Sequence, residues 1–143
     1  MTTPLDPDAL AAVARTTVAH YDASAEDFWE GTRDHDVVQN IDALLRHITA
    51  TPPFVVLDFG CGPGRDLARF RALGHAPIGL DGAARFVAMA QAFAGVPVWQ
   101  QDFLHLDLPP AHFDGVFANA TLFHVPSQEL PRVLGDLHAT LKP

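Results

Sequence analysis

The stretch that most constrains the fold is FVVLDFGCGPGRD, residues 54–66, an apolar run that ends in a glycine-rich turn. Gly60, Gly62 and Gly64 permit positive φ and let the backbone approach a ligand with no Cβ in the way. A helix that begins near Gly64 would point its free N–H groups at the same place. Position 65, where the dinucleotide fingerprint has its third glycine, is Arg65. The turn alone therefore fits either a ligand site or a tight strand-to-helix connection.

Short apolar runs alternate with helical patterns after this point. The runs are Phe54–Phe59, Ala76–Leu80, Pro97–Gln101 and Phe113–Ala118, bounded by Gly, Pro and Asp as buried parallel strands are. Apolar residues at helical spacing lie between the runs and after the last one. This alternation predicts an α/β fold with a parallel sheet and right-handed crossovers.

The first fifty residues have a different pattern, which is typical of helices. An Asp-Pro pair at residues 6–7 indicates a helix start. A second apolar stripe runs over residues 37–48, and Asp36 is its expected cap. We therefore expect two parts, an N-terminal helical cap or lid segment at residues 1–50 and a ligand-binding α/β domain at 51–143.

Composition excludes several classes of function. Asp and Glu number 17 against 9 Lys and Arg, a net charge of −8 that disfavours a nucleic-acid binder. Cys61 is the single cysteine, which leaves no internal disulfide and no cysteine zinc cluster, and the eight histidines lack metal-binding spacing. No apolar run approaches about 18 residues, and the N-terminus lacks signal-peptide features. We expect a cytoplasmic protein that binds neither metal nor membrane.

Two acidic residues close the strands that follow the glycine turn. Asp81 ends PIGLD, and a doubly wound sheet would place its carboxylate beside the turn, where it can accept from both hydroxyls of a ribose. Asp102 ends WQQD, where it can accept from an adenine amino group while Phe103 packs on the ring. Taken alone, Asp81 also fits a helix cap and Asp102 a solvated loop residue.

Four segments together carry a resemblance to a known family. VLDFGCGPG, GLDGA, QQDF and FDGVFANATLFHVP are similar to successive motifs of the class I S-adenosylmethionine-dependent methyltransferases, of the type that acts on small molecules. The resemblance covers about residues 55–143. It implies a Rossmann-like sheet with strand order 3-2-1-4, S-adenosylmethionine as cofactor and S-adenosylhomocysteine as product.

The resemblance also implies roles for individual residues. Asp58 and the glycine turn would hold the methionine end of the cofactor, and Asn119 would border the transferring methyl. Tyr21, in a segment that folds over the cofactor in the family, would donate to its carboxylate. The expected cofactor-binding set is Tyr21, Asp58, Gly60, Cys61, Gly62, Gly64, Asp81, Gly82, Asp102, Phe103 and Asn119.

The sequence departs from the family at its end. Family members usually continue into a fifth strand, a helix and an antiparallel hairpin, in the order 3-2-1-4-5-7-6, whereas this sequence stops at LHATLKP. The fourth strand would then be an open apolar edge, which proteins rarely leave exposed. We expect a truncated methyltransferase, or a homo-oligomer that covers this edge.

A small set of side chains could serve the reaction. His124, just past the fourth strand, is the best candidate for a general base, although it could equally be a packing residue. Trp29 and Arg33 could wall an acceptor pocket or simply pack the helices together. Cys61 fits a small buried thiol better than a nucleophile.

The predicted function is transfer of a methyl group to a small-molecule acceptor. The fourth strand ends in NATL and not in the Asn-Pro-Pro-Tyr pattern of adenine-N6 and amide-N methyltransferases. Two alternatives remain open on sequence grounds. One is a non-catalytic S-adenosylmethionine-binding or interaction module, and the other is a nicotinamide-dependent oxidoreductase.

Overall fold

The computed structural model describes residues 3–143, so the first two residues of the predicted segment 1–50 lie outside it. Helices come first along the chain, and strands and helices then alternate as predicted. The elements are α1 Pro7–Ala23, α2 Ala25–Thr32, α3 Val38–Arg46, β1 Val55–Phe59, α4 Arg65–Ala72, β2 Ala76–Asp81, α5 Ala84–Ala94, β3 Val98–Gln100, β4 Gly115–Phe117 and α6 Leu130–Ala139.

The four strands form one parallel sheet in the order β3-β2-β1-β4, which confirms the predicted order. In the register of β1, Leu57 lies beside Ile78 of β2 on one side and Val116 of β4 on the other. Because all strands run in the same direction, their carboxyl ends meet at one edge. The glycine turn, Asp81 and the segment after β4 therefore come together.

Both faces of the sheet are covered, as the continuous apolar pattern of β1 requires. Leu57 and Phe59 point to one face and pack with Val133 of α6. Val56 points to the other face and packs with Phe70 of α4 and, from α3, Ile41. Successive residues of a strand alternate between faces, so this central strand joins both halves of the core.

The N-terminal helices begin where the sequence indicated, with one addition. Asp6 caps α1 by accepting from the Ala9 N–H at 2.8 Å. Asp36 accepts from the Val38 N–H at 3.0 Å. It lies one residue before Val37, which occupies the N-cap position of α3. The sequence did not predict α2, whose inward side is set by Ala25, a fully buried residue. The division of the chain at residue 50 stays a prediction.

The chain is paired on its outer side just before β4. Phe113 and Leu141 form a parallel bridge, and the Lys142 N–H donates to the Phe113 carbonyl at 2.9 Å. This contact lies outside β4 itself, so the predicted open edge of the strand stays a prediction. Homo-oligomer formation stays a prediction. Within residues 3–143, no helix has both the length and the apolar character needed to cross a bilayer.

Candidate functional site

A cavity of about 230 Å³ lies at the carboxyl edge of the sheet, beneath α1. The loops that follow β1, β2, β3 and β4 form its floor and sides. Residues predicted from five separate segments share this lining: Tyr21, Gly60, Gly62, Asp81, Gly82, Asp102, Phe103 and His124. The fold therefore gathers most of the predicted site around one space.

The glycine turn after β1 is held against its neighbours so closely that side chains are excluded. Gly60 has φ +75° and Gly64 has φ +98°. A Cβ at Gly60 would collide with the Thr121 side chain, and one at Gly64 would lie 2.8 Å from the Cα of Ala90. Gly60 thus allows the Thr121 side chain to pack against the turn, while Gly64 allows α4 to pack against α5 without lining the cavity.

Asp81 connects the end of β2 to the glycine turn. Its Oδ2 accepts from the Gly62 N–H at 2.9 Å, and its Oδ1 accepts from the Ala83 N–H at 3.0 Å. Burial raises the pKa of this carboxyl, and the N–H groups of Ala83, Gly62 and Gly82 partly offset the effect. The carboxyl thus accepts from the N–H of the residue that caps α5 and also lines the cavity, and its role toward a ribose stays a prediction.

Asp102 and Phe103 form the wall after β3. Asp102 accepts from the Leu104 N–H at 2.9 Å and contacts His105 Nδ1 at 3.0 Å. The Phe103 ring packs against Phe59, with 4.4 Å between the ring centres. This wall presents an aromatic ring beside a carboxylate, the two features expected of a site for a purine with an amino group.

Asp58 is the most unusual polar group near the turn. It lies at the end of β1 with 2% exposure, and its Oδ2 has no hydrogen-bond partner among residues 3–143. Burial raises the pKa of this carboxyl well above its usual value, and Asp66 and Asp81 add to the rise while Arg65 opposes it. Burying a carboxyl without a hydrogen-bond partner lowers the stability of the folded chain. A cationic ligand beside Asp58 would recover part of that lost stability.

Tyr21 and His124 meet across the mouth of the cavity. The Tyr21 hydroxyl lies 2.7 Å from His124 Nε2, and the two rings are edge-on. Burial, followed by Asp81, raises the pKa of Tyr21, and burial lowers the pKa of His124. Both groups are therefore neutral at neutral pH. The Tyr21 hydroxyl and Nε2 can form this hydrogen bond in either imidazole tautomer, and the hydroxyl donates when Nδ1 carries the imidazole proton.

This pairing could not be found from the sequence, because the two residues lie 103 positions apart. Sequence reasoning also missed the apolar side of the cavity. Val13, Ala14, Thr17 and Val18 contribute to it from α1, and Phe123 and Pro126 contribute from the segment after β4. Of these residues, only Phe123 could have been associated with the site from the sequence, because it lies next to the predicted His124.

Asp58 and the remaining predicted residues lie outside this cavity lining. Cys61 is a buried thiol, as expected, and burial raises its pKa. Asn119 accepts from the Asn40 side-chain amide at 3.0 Å. Trp29 packs against Phe93 of α5, and Arg33 contacts acidic neighbours beside a separate depression.

The placement of Trp29 and Arg33 follows from the geometry of α2. Phe28 faces the cavity, and a helical step of about 100° turns Trp29 toward α5. The expected acceptor-pocket role of these two residues has no support from their positions. Among the described residues, no cluster of three His, Cys, Asp or Glu side chains is placed to hold a metal ion.

Comparison with known proteins agrees with this geometry. Residues 56–143 match the model of a family described as "Methyltransferase domain". The chain is 33% identical over 99 residues to sterol 24-C-methyltransferase of Eremothecium gossypii, an alignment that covers 62% of this chain and 26% of that protein. It is 39% identical over 92 residues to tRNA U34 carboxymethyltransferase of Tolumonas auensis, covering 58% and 28%. The chain thus spans about a quarter of the length of these curated relatives.

A solved structure extends the likeness to the whole chain. The 1,6-didemethyltoxoflavin-N1-methyltransferase of Burkholderia thailandensis, with bound 1,6-didemethyltoxoflavin and S-adenosylhomocysteine, superposes with a TM-score of 0.75 at 30% identity. The superposition covers 100% of this chain and 63% of that chain. The match to a methyltransferase family argues against the alternative of a nicotinamide-dependent oxidoreductase. The chain belongs to the class I S-adenosylmethionine-dependent methyltransferases, whose Rossmann-like sheet it shares in the order 3-2-1-4.

Proposed function

We propose that this chain carries out methyl transfer from S-adenosylmethionine to a small-molecule acceptor, at the cavity beneath α1. The observation that carries the proposal is the convergence of the glycine turn with two strand-end acids on one cavity. When bound, the cofactor supplies an electrophilic methyl group on a sulfonium. The acceptor would be held in line with that methyl, and such positioning accounts for much of the rate of a displacement.

The residues of the site fit this cofactor in the chemistry of their side chains. Asp81 would accept from the ribose hydroxyls, and Asp102 with Phe103 would hold the adenine. Asp58 has an unpaired carboxyl oxygen that suits an ammonium group, which is the positive end of the cofactor's methionine portion. No arginine or lysine is among the described residues that line the cavity, as expected for a cofactor without phosphate.

His124 is the proposed base for acceptors that must lose a proton. Its Nε2 lies 2.7 Å from the Tyr21 hydroxyl and accepts a hydrogen bond in the tautomer that carries its proton on Nδ1. An acceptor N–H or O–H would replace that hydroxyl at Nε2, so Tyr21 and the end of α1 would shift when the acceptor binds. Tyr21 is then free to donate to the cofactor's carboxylate, its expected role.

A small molecule is favoured over a nucleic acid on electrostatic grounds. The chain has a net charge of −8, and the cavity lining offers phosphate groups no cation. The relatives named above differ in acceptor, with a sterol, tRNA U34 and 1,6-didemethyltoxoflavin in their names. Family membership therefore does not identify the acceptor, and the proposal about it rests on the side chains of the site.

A cytoplasmic location is part of the same proposal.

The cofactor assignment is tested at Asp81. We expect Asp81→Ala to weaken S-adenosylhomocysteine binding by about 1–3 kcal/mol, because ribose hydroxyls lose their acceptor and the Gly62 N–H loses its partner. Isothermal titration calorimetry measures the change. Asp107→Ala is the matched control, since this exposed acid also follows β3 but does not line the cavity.

Two results would count against the proposal. Equal affinities of Asp81→Ala and the unaltered chain would remove the ribose site from this cavity. An equal loss in Asp107→Ala would show that the effect comes from overall charge and not from a contact.

A further inference from the structure

The side of the cavity that is formed by α1 and by the segment after β4 is largely apolar. Most residues assigned to the cofactor come instead from the glycine turn and from the ends of β2 and β3, and Tyr21 is the exception on α1. From this side we propose that the acceptor is an uncharged aromatic molecule that offers a single N–H or O–H group. The inference rests on the proposed function and specifies its substrate class.

The described lining of the cavity disfavours an anionic acceptor. The described lining residues include no arginine or lysine, and their only carboxylates are Asp81 and Asp102. Both of these acids already accept backbone N–H groups. A carboxylate or phosphate would therefore leave water without gaining a cation, which is strongly unfavourable.

The acceptor side has little hydrogen-bonding capacity left. The Thr17 hydroxyl donates to the Val13 carbonyl at 3.1 Å, and the Thr121 hydroxyl donates to the Phe59 carbonyl at 3.0 Å. The Tyr21–His124 pair then remains as the polar feature that an acceptor can engage. A sugar or another polyol would bury several hydroxyls without partners, so one N–H or O–H group matches the site.

The walls of this side favour a flat apolar ligand. Phe123 is 72% exposed at the cavity mouth, and its ring centre lies 4.0 Å from that of His124. Val13 is 42% exposed on the facing helix. Large apolar side chains exposed beside a cavity mark a contact surface, and aromatic rings pair well with other rings.

The test uses two probes that differ by one charged group. 2-Naphthol and 6-hydroxy-2-naphthoate share a ring system and a hydroxyl, and only the second carries a carboxylate. Each is titrated calorimetrically into the chain saturated with S-adenosylhomocysteine. We expect 2-naphthol to bind at least about tenfold more tightly, because the carboxylate finds no partner.

Variants of exposed phenylalanines locate the binding site. Phe123→Ala should weaken 2-naphthol binding by about two- to tenfold, the range for loss of one aromatic pair, and should leave the S-adenosylhomocysteine affinity unchanged. Phe93→Ala is the matched control, since Phe93 is 53% exposed on α5 and lies outside the cavity lining. It should change neither affinity. Phe123→Lys should reverse the preference and favour 6-hydroxy-2-naphthoate.

Each outcome decides between the two proposals. Failure of S-adenosylhomocysteine to bind would overturn the cofactor site and the acceptor class with it. Normal S-adenosylhomocysteine binding would leave the proposed function standing in the remaining cases. With that binding intact, equal or tighter binding of the naphthoate, no binding of either probe, or no effect of Phe123→Ala would each overturn the acceptor class alone.

Discussion

At the scale of one residue, Asp58 shows how a carboxyl that is proposed to bind the cofactor opposes stability. Its carboxyl is buried with an unpaired oxygen, and its pKa in the folded chain is raised. The unfolded chain therefore loses this proton at lower pH than the folded chain does. Below the unfolded pKa the two states bind the proton equally, and as pH rises above it the folded state is progressively disfavoured.

We expect Asp58→Asn to stabilise the ligand-free protein at neutral pH while weakening S-adenosylhomocysteine binding. The amide keeps the shape of the side chain but has no charge to desolvate, and it gives a cofactor ammonium no counter-charge. Thermal unfolding between pH 4 and pH 7 should show the advantage of the variant growing as pH rises. A ligand-free variant that melts below the unaltered chain at pH 7 would contradict this explanation.

Asp114 provides a control of opposite sign. Burial alone would raise its pKa, but the Val55 N–H and Lys142 outweigh that effect, so its pKa is lowered. Its contribution to stability is present above the unfolded pKa and is lost as pH falls through the lower folded value. Asp114→Asn should therefore destabilise the chain at pH 7 and have little effect in acid.

His124 carries the prediction about chemistry. If Nε2 accepts the proton of the acceptor, His124→Gln should lower turnover by about 10²–10⁴-fold and leave cofactor affinity nearly unchanged. A base must be neutral, and burial lowers the pKa of His124 below 6.5. The rate should thus be constant near neutral pH and fall only at lower pH.

The measurement is a pH–rate profile of the unaltered chain, His124→Gln and His138→Gln. His138 is exposed on α6, outside the cavity lining, so its variant should keep the full profile. A His124→Gln protein that melts earlier but turns over at the normal rate per folded molecule would assign His124 to packing alone.

Helix α1 is the element whose role depends most on the contacts at its ends. None of its residues, all within the described part of the chain, is buried, so the core holds it weakly. Its attachments include the Leu5 N–H to Gln128 bond, the Tyr21–His124 bond and the bond from the Arg85 N–H to the Asp22 carboxylate. Elements with few buried contacts open locally before the rest of a protein does.

Hydrogen exchange should therefore be faster in α1 than in β1 and should slow when S-adenosylhomocysteine fills the cavity beneath it. Tyr21→Phe should speed exchange in α1, because it removes the bond to His124, whereas α6 should be unaffected. Thr16→Ala is the control, since it removes a hydroxyl that bonds only within the helix. Equal exchange of α1 in Tyr21→Phe and the unaltered chain would show that this bond does not hold the helix.

The helices and strands also show which features of the fold and site can be predicted from the sequence. The strands follow from apolar runs bounded by turn residues, whereas their order follows from the resemblance to the methyltransferase family. The position of Asp81 follows from its place at a strand end. The Tyr21–His124 contact does not follow from the sequence, because it depends on how α1 lies across the sheet edge. The pocket role expected for Trp29 and Arg33 rests on the place of their segment in the resembled family. The direction of each side chain depends on the phase of α2, a helix that the sequence did not predict.

The charge and cavity of the whole molecule lead to a prediction that separates cofactor classes. A ligand at a hundredfold excess over its Kd stabilises the folded state by about 2.7 kcal/mol. For a domain of this size, such a gain corresponds to a rise in Tm of roughly 5–11 °C. We expect S-adenosylhomocysteine to produce a rise in this range by differential scanning fluorimetry.

NAD should leave the Tm unchanged at millimolar concentration. Asp81 could accept from its ribose as well, so the difference must come from the pyrophosphate. That group would meet a glycine turn followed by Arg65 in place of the third glycine, beneath a cavity whose described lining holds two acids and no arginine or lysine. Arg65 itself is engaged with the Thr32 carbonyl and Asp66. A rise in Tm with NAD equal to that with S-adenosylhomocysteine would mean that the cavity recognises a nucleoside and does not select the methionine portion, and the role of Asp58 would then have to be abandoned.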